Sequence, residues 1–463
     1  MIKVEDKERQ KIIEKVYLAG QEHLFRFWDE LDEAQREGLL DQLDSIDLSC
    51  LDKLVHPKEK VSHHRFKPAS FIRIPGTGEE IKRQEEATRV GEEALRRARV
   101  ACFLVAGGQS SRLGYESPKG TFPIGPVTGK SLYQLHSEKI LALRKRYETR
   151  LPFYIMTSSS TDEPTREFFK QHNFFGLPEE EVRFLVQGMI PSVDFEGKLI
   201  LKAKDRLAMN PNGHGGTIKA LKESGALGQM EEEGIEQIFY FQVDNPLVKI
   251  ADPVFLGHHL IHEADMSCKI VRKREPEEKV GVIGYIDGHL GLIEYSELPH
   301  SKAKEKNPDG SLKFEAGNIA IHILNLDFIR RKDYLLPYHP AQKKIPFVDE
   351  KGILRKPEKP NGIKFECFIF DLLIEAEKSI IMEVERREEF SPLKDKQGPG
   401  SPEAVKRNIT ALYRNWLEEA GLKILGECPG HSIEISPLYA LDKEELAKKI
   451  DKNLRFDQEL YLE

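Results

Sequence analysis

The stretch LVAGGQSSRLGYESPKG, Leu104 to Gly120, gathers residue types suited to gripping a nucleoside triphosphate and doing chemistry on its phosphates. Gly107, Gly108 and Gly114 allow close backbone approach and positive φ. N–H groups exposed at a strand-to-helix turn receive anionic oxygens. Arg112 and Lys119, on the same turn, offset charge that gathers during phosphoryl attack. Surface turns are also Gly-rich, so the glycines alone do not decide the matter.

A second anchor is Asp244, which ends the apolar run QIFYFQVD and precedes Asn245 and Pro246. A carboxylate at the carboxyl end of a strand faces the usual ligand crevice. One Asp can hold Mg²⁺ when phosphate oxygens and waters complete the shell; the plainer reading is a turn-capping Asp. Two segments between these anchors suit base and ribose readers: VQGMIPSVD, with Gln187 and Gly188, and NPNGHGGT, with Gly213 and His214. A side-chain amide pairs with a pyrimidine edge, although either segment also reads as a simple turn. Gly281, Glu294 and Asn318 form a candidate sugar end, since a carboxylate accepts from vicinal hydroxyls and an amide both donates and accepts. Lys364 in NGIKFECFIFD has the reach for a sugar phosphate, but a lysine at a strand end is more commonly exposed.

Other motifs fall short. GPVTGKS, Gly125 to Ser131, is one residue short of a P-loop and follows no clear strand. AGGQSSRLG is not the GxGxxG of a dinucleotide site. His258, His259 and His262 lack the HExxH order of a zinc helix. VDNPL lacks the second carboxylate of a DxD metal site, which argues against a glycosyltransferase.

These residues need a frame, and the chain supplies one. From Ala98, apolar runs alternate with helical spacings: ACFLVA, SLYQLHSEKILALRK, PFYIMTS, TREFFKQHNFF, VRFLVQG and QIFYFQVD. That rhythm predicts a Rossmann-like three-layer α/β core. MSCKIVRK, KVGVIGYIDGHLGLIEY and LKFEAGNIAIHIL read as sheet extensions and hairpins. IKFECFIFD and KSIIMEVER return to the α/β pattern. Residues 1–60 read as helical, with Leu24, Phe25 and Trp28 on one side. Residues 56–90 read as irregular, because prolines, Gly76 and Gly78 interrupt any long helix. REEFSPLKDKQGPGSPEA reads as a boundary or mobile loop before a small C-terminal appendage.

The 463 residues carry a net charge of -7, which argues against general nucleic-acid binding. Cys50, Cys102, Cys268, Cys367 and Cys428 are scattered and make no CxxC pair, so a reducing cytoplasm is expected. The N-terminus has no apolar signal core, and no stretch is long enough for a membrane span.

Taken together, the motifs resemble the eukaryotic-type UDP-sugar pyrophosphorylase family, on its UDP-N-acetylhexosamine branch. They include AGQEHLFRFWDELDEAQ, LVAGGQSSRLGYESPKG, LVQGMIPSVDFEGKL, NPNGHGGT, FQVDNPLVKIADP, VGVIGYIDG, LIEYSE, EAGNIAIH, NGIKFECFIFD, REEFSPLKD and IEISPL. The resemblance implies a GT-A-like nucleotidyltransferase core with a mixed central sheet. It divides the chain into an N-terminal helical domain (1–93), a catalytic domain (94–390) and a small C-terminal domain (391–463). It implies that Gly107, Gly108 and Arg112 belong to the nucleotide loop and that Lys119 is its phosphate-facing lysine. It assigns Gln187 and Gly213, with His214 beside them, to uracil and nucleotide contacts. Asp244 is then the metal-facing aspartate, Gly281, Glu294 and Asn318 the sugar contacts, and Lys364 a phosphate contact.

The chain departs from the family pattern in places. His214 and Asn212 stand where asparagine and aspartate are usual, Ser110 stands for a common glycine, and Cys367 for a frequent lysine. The expected reaction joins UTP to an N-acetylhexosamine 1-phosphate and releases pyrophosphate. Mg²⁺ is the expected cofactor, with Mn²⁺ as a substitute, and no obligate protein partner is evident. UDP-glucose or broad UDP-sugar specificity is the alternative within enzymes. A noncatalytic nucleotide-sugar-binding regulator is the alternative outside them.

Overall fold

A computed structural model describes residues 1–48, 65–108, 110–422, 432–454 and 459–463. Cys50 and Cys428 lie outside the described residues. The chain divides into two compact units, each discontinuous in sequence, rather than three consecutive domains.

The larger unit takes residues 65–186, 218–334 and 370–463. Its labelled elements, in chain order, are β1 (Phe66–Pro68), α1 (Gly78–Arg96), β2 (Val100–Val105), α2 (Leu132–Tyr147), β3 (Phe153–Thr157), β4 (Val182–Val186), β5 (Gln237–Gln242), α3 (Pro253–Ile261), β6 (Met266–Arg272), β7 (Val282–Ile286), β8 (His289–Ile293), β9 (Ala316–Asn325), β10 (Ser379–Glu383) and α4 (Pro402–Glu419). The ten strands form one sheet along β1-β7-β9-β5-β2-β3-β4, with β6 paired to β9 and β10, and β8 paired to β7. β5, β2, β3 and β4 run parallel, as the unbroken apolar runs predict for strands covered on both faces. The β7–β8 hairpin and the antiparallel β9 make the sheet mixed. Ser131 caps α2 by accepting from Gln134 N–H, and the helix buries Leu132, Leu135, Ile140 and Leu143.

Two sequence expectations fail here for identifiable reasons. Residues 78–96 form a 19-residue helix rather than irregular chain. Gly78 begins that helix instead of breaking it: Thr77 accepts from Glu80 N–H, and Glu80 returns the bond in a capping box. Glycine costs least in the first turn, and the T-x-x-E signal was readable in TGEE. α1 then packs on α3 almost backbone to backbone; a Cβ on Gly257 would lie 1.7 Å from Ala87 O, and one on Gly91 1.9 Å from Pro253 O. The second failure is the C-terminal appendage. Leu412, Trp416, Ile433, Leu446 and Leu460 belong to the same apolar core as β2, β3 and β5. The near-P-loop GPVTGKS is tied to this region by its backbone: Val127 and Thr128 N–H groups each donate to Glu434 Oε2 at 2.8 Å.

The smaller unit takes residues 1–64, 187–217 and 335–369. Helices Lys7–Leu18 and Glu33–Asp44 flank two 3₁₀ turns, so the N-terminal region is helical in pieces. Leu24, Phe25 and Trp28 are buried together, with Phe25 edge-on to Trp28 at 5.5 Å. The run IKFECFIFD leaves the central sheet: its strand Gly362–Glu366 pairs with His339–Lys343 in this unit. No helix among the described residues is long and apolar enough to cross a membrane.

Two histidines of the larger unit set an acid limit. Burial drives His136 and His259 from 6.5 to about 3 each, against the bond His136 makes to Val243 O and the charge of Asp265 near His259. The unfolded chain takes up these protons below about pH 6.5 while the folded chain refuses them. Stability should therefore be intact above that pH and fall between 6.5 and 3, by roughly 2 kcal/mol per histidine at pH 5. Urea unfolding at pH 7 and pH 5 checks this, with His259→Gln expected to reduce the slope.

Candidate functional site

In the larger unit, β2 and β5 are parallel neighbours, with Val105 opposite Gln242. Their carboxyl ends lie side by side, so the loop after β2 and the turn after β5 leave the sheet at one edge. Gly107 and Gly108 follow β2, and a Cβ on Gly108 would meet nothing within 4 Å. Arg112 sits exposed on the 3₁₀ turn Ser111–Leu113. Gly114 has φ of +68°, which supplies the sharp turn that its residue type predicts. Lys119 opens the next 3₁₀ turn and brings Nζ to 3.7 Å from Asp244 Oδ2.

Asp244 is buried, and the same Oδ2 accepts from Lys394 Nζ at 2.5 Å. Burial works to raise this carboxyl, but the charges of Lys394 and Lys119 outweigh it and hold the group below the usual carboxylate range. Burial lowers the Lys119 ammonium; Asp244 opposes that shift, while Lys394 and Arg112 add to it. The result is an ionised carboxylate between two ammonium groups, with a guanidinium near enough to be felt. Lys394 lies in the segment read as a boundary or loop. Leu393 N–H donates to Asp244 O at 2.8 Å, so this segment is part of the site. The lysine in REEFSPLKD was visible, but nothing local linked it to Asp244.

The three candidate sugar residues converge in the same unit. Val282 of β7 stands opposite Ile293 of β8 and Gly317 of β9. One step along these antiparallel strands, Gly281 faces Glu294 on one side and Asn318 on the other. Asn318 N–H donates to Gly281 O at 2.9 Å, which confirms the register. Neighbours across strands share a face of the sheet, and the Leu292 side chain lies over the glycine between them, where a Cβ would meet it at 3.0 Å. β9 runs antiparallel to β5, so its first residues lie toward the sheet edge that carries Asp244.

The remaining candidates belong to the smaller unit. Gln187 is buried, and Gly188 O accepts from Asn212 N–H at 3.0 Å. A Cβ on Gly188 would stand 2.9 Å from Asn212 Nδ2, and one on Gly216 2.2 Å from Asn212 Oδ1. Asn212 thus fills the space those two glycines leave open. Gly213 has φ of +86° and passes close to Cys367, where only glycine fits. His214 Nδ1 accepts from Ile369 N–H at 3.2 Å, so the ring proton of its neutral form sits on Nε2. The ring stacks on Phe368 at 5.2 Å, and Phe368 stacks on His339 at 4.5 Å. Lys364 stands opposite Ala341, half-buried rather than exposed; burial lowers its ammonium and Glu366 opposes the shift.

The described residues hold no group of three or more His, Cys, Asp or Glu side chains placed for a metal. His259, on α3, is bonded on both ring nitrogens, to Ser267 and Gln237. Asp244 is a single hard oxygen donor, kept ionised. That suits Mg²⁺ taking the rest of its shell from phosphates and water, and does not suit a soft-metal cage.

Residues 54–398 match the family model described as UTP–glucose-1-phosphate uridylyltransferase. The UDP-N-acetylhexosamine pyrophosphorylase-like protein 1 of Xenopus tropicalis is 39% identical over 91% of this chain and 90% of its own length. The UDP-N-acetylglucosamine pyrophosphorylase of Saccharomyces cerevisiae is 37% identical over 93% and 95%. The crystal structure of the uridine diphosphate N-acetylglucosamine pyrophosphorylase of Trypanosoma brucei superposes with a TM-score of 0.82 at 29% identity, covering 96% of this chain and 95% of that one.

Proposed function

Since the chain belongs to the UDP-N-acetylhexosamine/UDP-GlcNAc pyrophosphorylase family, we propose that it is a uridylyltransferase that joins UTP to a sugar 1-phosphate and releases pyrophosphate. The finer reading is an N-acetylhexosamine 1-phosphate as the sugar substrate, on a GT-A-like core. The observation that carries the proposal is Asp244 between Lys119 and Lys394, at the sheet edge where the Gly107–Gly108 loop emerges.

A sugar phosphate oxygen attacks the α-phosphorus of UTP, and pyrophosphate leaves from the opposite side. The nucleophile is already an anion near neutral pH, so the step needs no general base. The obstacle is charge, and the work is positioning and electrostatics. Lys119 and Lys394 offset the triphosphate and the leaving pyrophosphate. Arg112, exposed on its turn, meets the phosphates as they enter. Asp244 holds both lysines in place and would be the protein ligand of Mg²⁺. When bound, that ion supplies further neutralisation of the phosphate oxygens. Gly281, Glu294 and Asn318 receive the sugar. The family resemblance assigns base and nucleotide contacts to Gln187, Gly213 and His214, and a phosphate contact to Lys364, all within the smaller unit.

Pyrophosphate release from UTP, measured with Mg²⁺ and separate panels of GlcNAc-1-phosphate, GalNAc-1-phosphate and glucose-1-phosphate, tests the proposal. Preference for an N-acetylated sugar supports the finer reading. Preference for glucose-1-phosphate keeps the reaction and overturns the sugar. No release with any of them overturns the reaction. Within an active enzyme, Arg112→Ala is expected to lower turnover by more than roughly tenfold. Its side chain is exposed, so thermal stability should barely move. Near-normal turnover at saturating substrates would remove Arg112 from the step.

A further inference from the structure

We infer that Asn245 is a positioning residue, which sets the backbone that carries Lys394 and so places that ammonium on Asp244; this role rests on the reaction proposed above. Lys394 cannot owe its position to packing. Its side chain is 43% exposed, whereas Asp244 beneath it is 8% exposed. A long, half-exposed lysine has many rotamers, so the backbone it hangs from must limit where the charge goes.

That backbone is held from one side by Asn245, which is buried. Its Nδ2 donates to Glu389 O at 2.6 Å, and its Oδ1 accepts from Ser391 N–H at 3.1 Å. One amide therefore satisfies a carbonyl and an N–H two residues apart, as a neighbouring strand would. Asp244 O continues the pattern by accepting from Leu393 N–H at 2.8 Å, and Lys394 follows immediately. Residues 389, 391 and 393 are thus registered on residues 244 and 245, and the Lys394 Nζ bond to Asp244 closes the set. Lys119 joins the same ladder, with Nζ donating to Leu393 O at 3.4 Å.

Other contacts hold the segment as well: Lys394 N–H donates to Gly400 O at 2.9 Å, beyond the stretch that Asn245 and Asp244 register. Glu389 Oε2 accepts from the buried Lys269 at 2.6 Å, and Asn408 Nδ2 of α4 donates to Ser391 Oγ at 2.8 Å. The bland account of Asn245 is a local turn cap through Leu247 N–H. That bond is 3.4 Å long, and the short bonds go to the distant segment instead. Only an amide presents a donor and an acceptor together at this length. An aspartate here would keep the Ser391 bond but would set an oxygen against Glu389 O.

The test is a double-mutant cycle on the full chain, with Asn245→Ala and Asn245→Asp each combined with Lys394→Ala. Pyrophosphate release and amide hydrogen exchange are both followed. Asn245→Ala is expected to lower kcat by about tenfold or more in the parent, and by less than about twofold once Lys394 is gone. Exchange at Ser391 and Leu393 is expected to rise while β5 stays protected. Asn245→Asp, nearly isosteric, should show the same coupling if the alanine variant folds poorly. Losses that multiply independently of Lys394, or unchanged exchange at those two amides, would overturn the role. A parent enzyme that releases no pyrophosphate would overturn the reaction and this role with it. An active parent with an uncoupled cycle would overturn this role alone.

Discussion

Asp244→Asn is expected to lower turnover by roughly a thousandfold, the largest effect of any single change in the protein. The substitution keeps the shape of the side chain and the backbone carbonyl that accepts from Leu393, so the turn after β5 should survive. What disappears is a negative charge that burial opposes and two lysines sustain. Lys394 at 2.5 Å and Lys119 at 3.7 Å then lose the group that orients them toward the phosphates. The hard anionic oxygen that suits Mg²⁺ is also lost, so the Mg²⁺ concentration for half-maximal rate should rise. Initial rates of pyrophosphate release at saturating substrates, over a Mg²⁺ titration, measure both effects. Turnover within tenfold of the parent, with an unmoved Mg²⁺ requirement, would show that Asp244 is a structural turn residue.

Removing the nearer of the two ammonium groups should come next in size. Lys394→Ala is expected to cost roughly a hundredfold in kcat/KM for UTP. The side chain is half-exposed and leaves no core cavity, but its loss takes one of two counter-charges from the buried Asp244, so the melting temperature should fall. Lys394→Arg keeps the charge but is bulkier and forked, and a point charge on a phosphate is not matched by a fork. It should recover only part of the loss. Lys119 does not replace Lys394, because it stands farther from the carboxylate and is drawn toward Leu393 O. A Lys394→Ala enzyme with unchanged kcat/KM would limit the pair with Asp244 to a structural role.

These expectations draw unequally on sequence and structure. The apolar run before Gly107 was readable as a buried parallel strand, and it is β2. Gly114 was readable as a positive-φ position, and it is one. The T-x-x-E cap of α1 is equally local, and its reciprocal bonds outweigh the breaking tendency of Gly76 and Gly78. Such features are local: they depend on residues within a few positions, where side-chain period and turn chemistry act directly.

The sequence by itself therefore determined the strands and helices of the parallel core and the chemical kind of each loop, including which residues could meet a phosphate, a metal or a sugar hydroxyl. Tertiary structure alone decided which of them meet. Lys394 lies 150 residues from the carboxylate it pairs with. Gly281, Glu294 and Asn318 became neighbours only through the register of three antiparallel strands. Gln187, Gly213, His214 and Lys364 fell into a unit assembled from three separate stretches of chain. Strand order and register arise from burying both faces of the whole sheet at once, a global balance that no local spacing records.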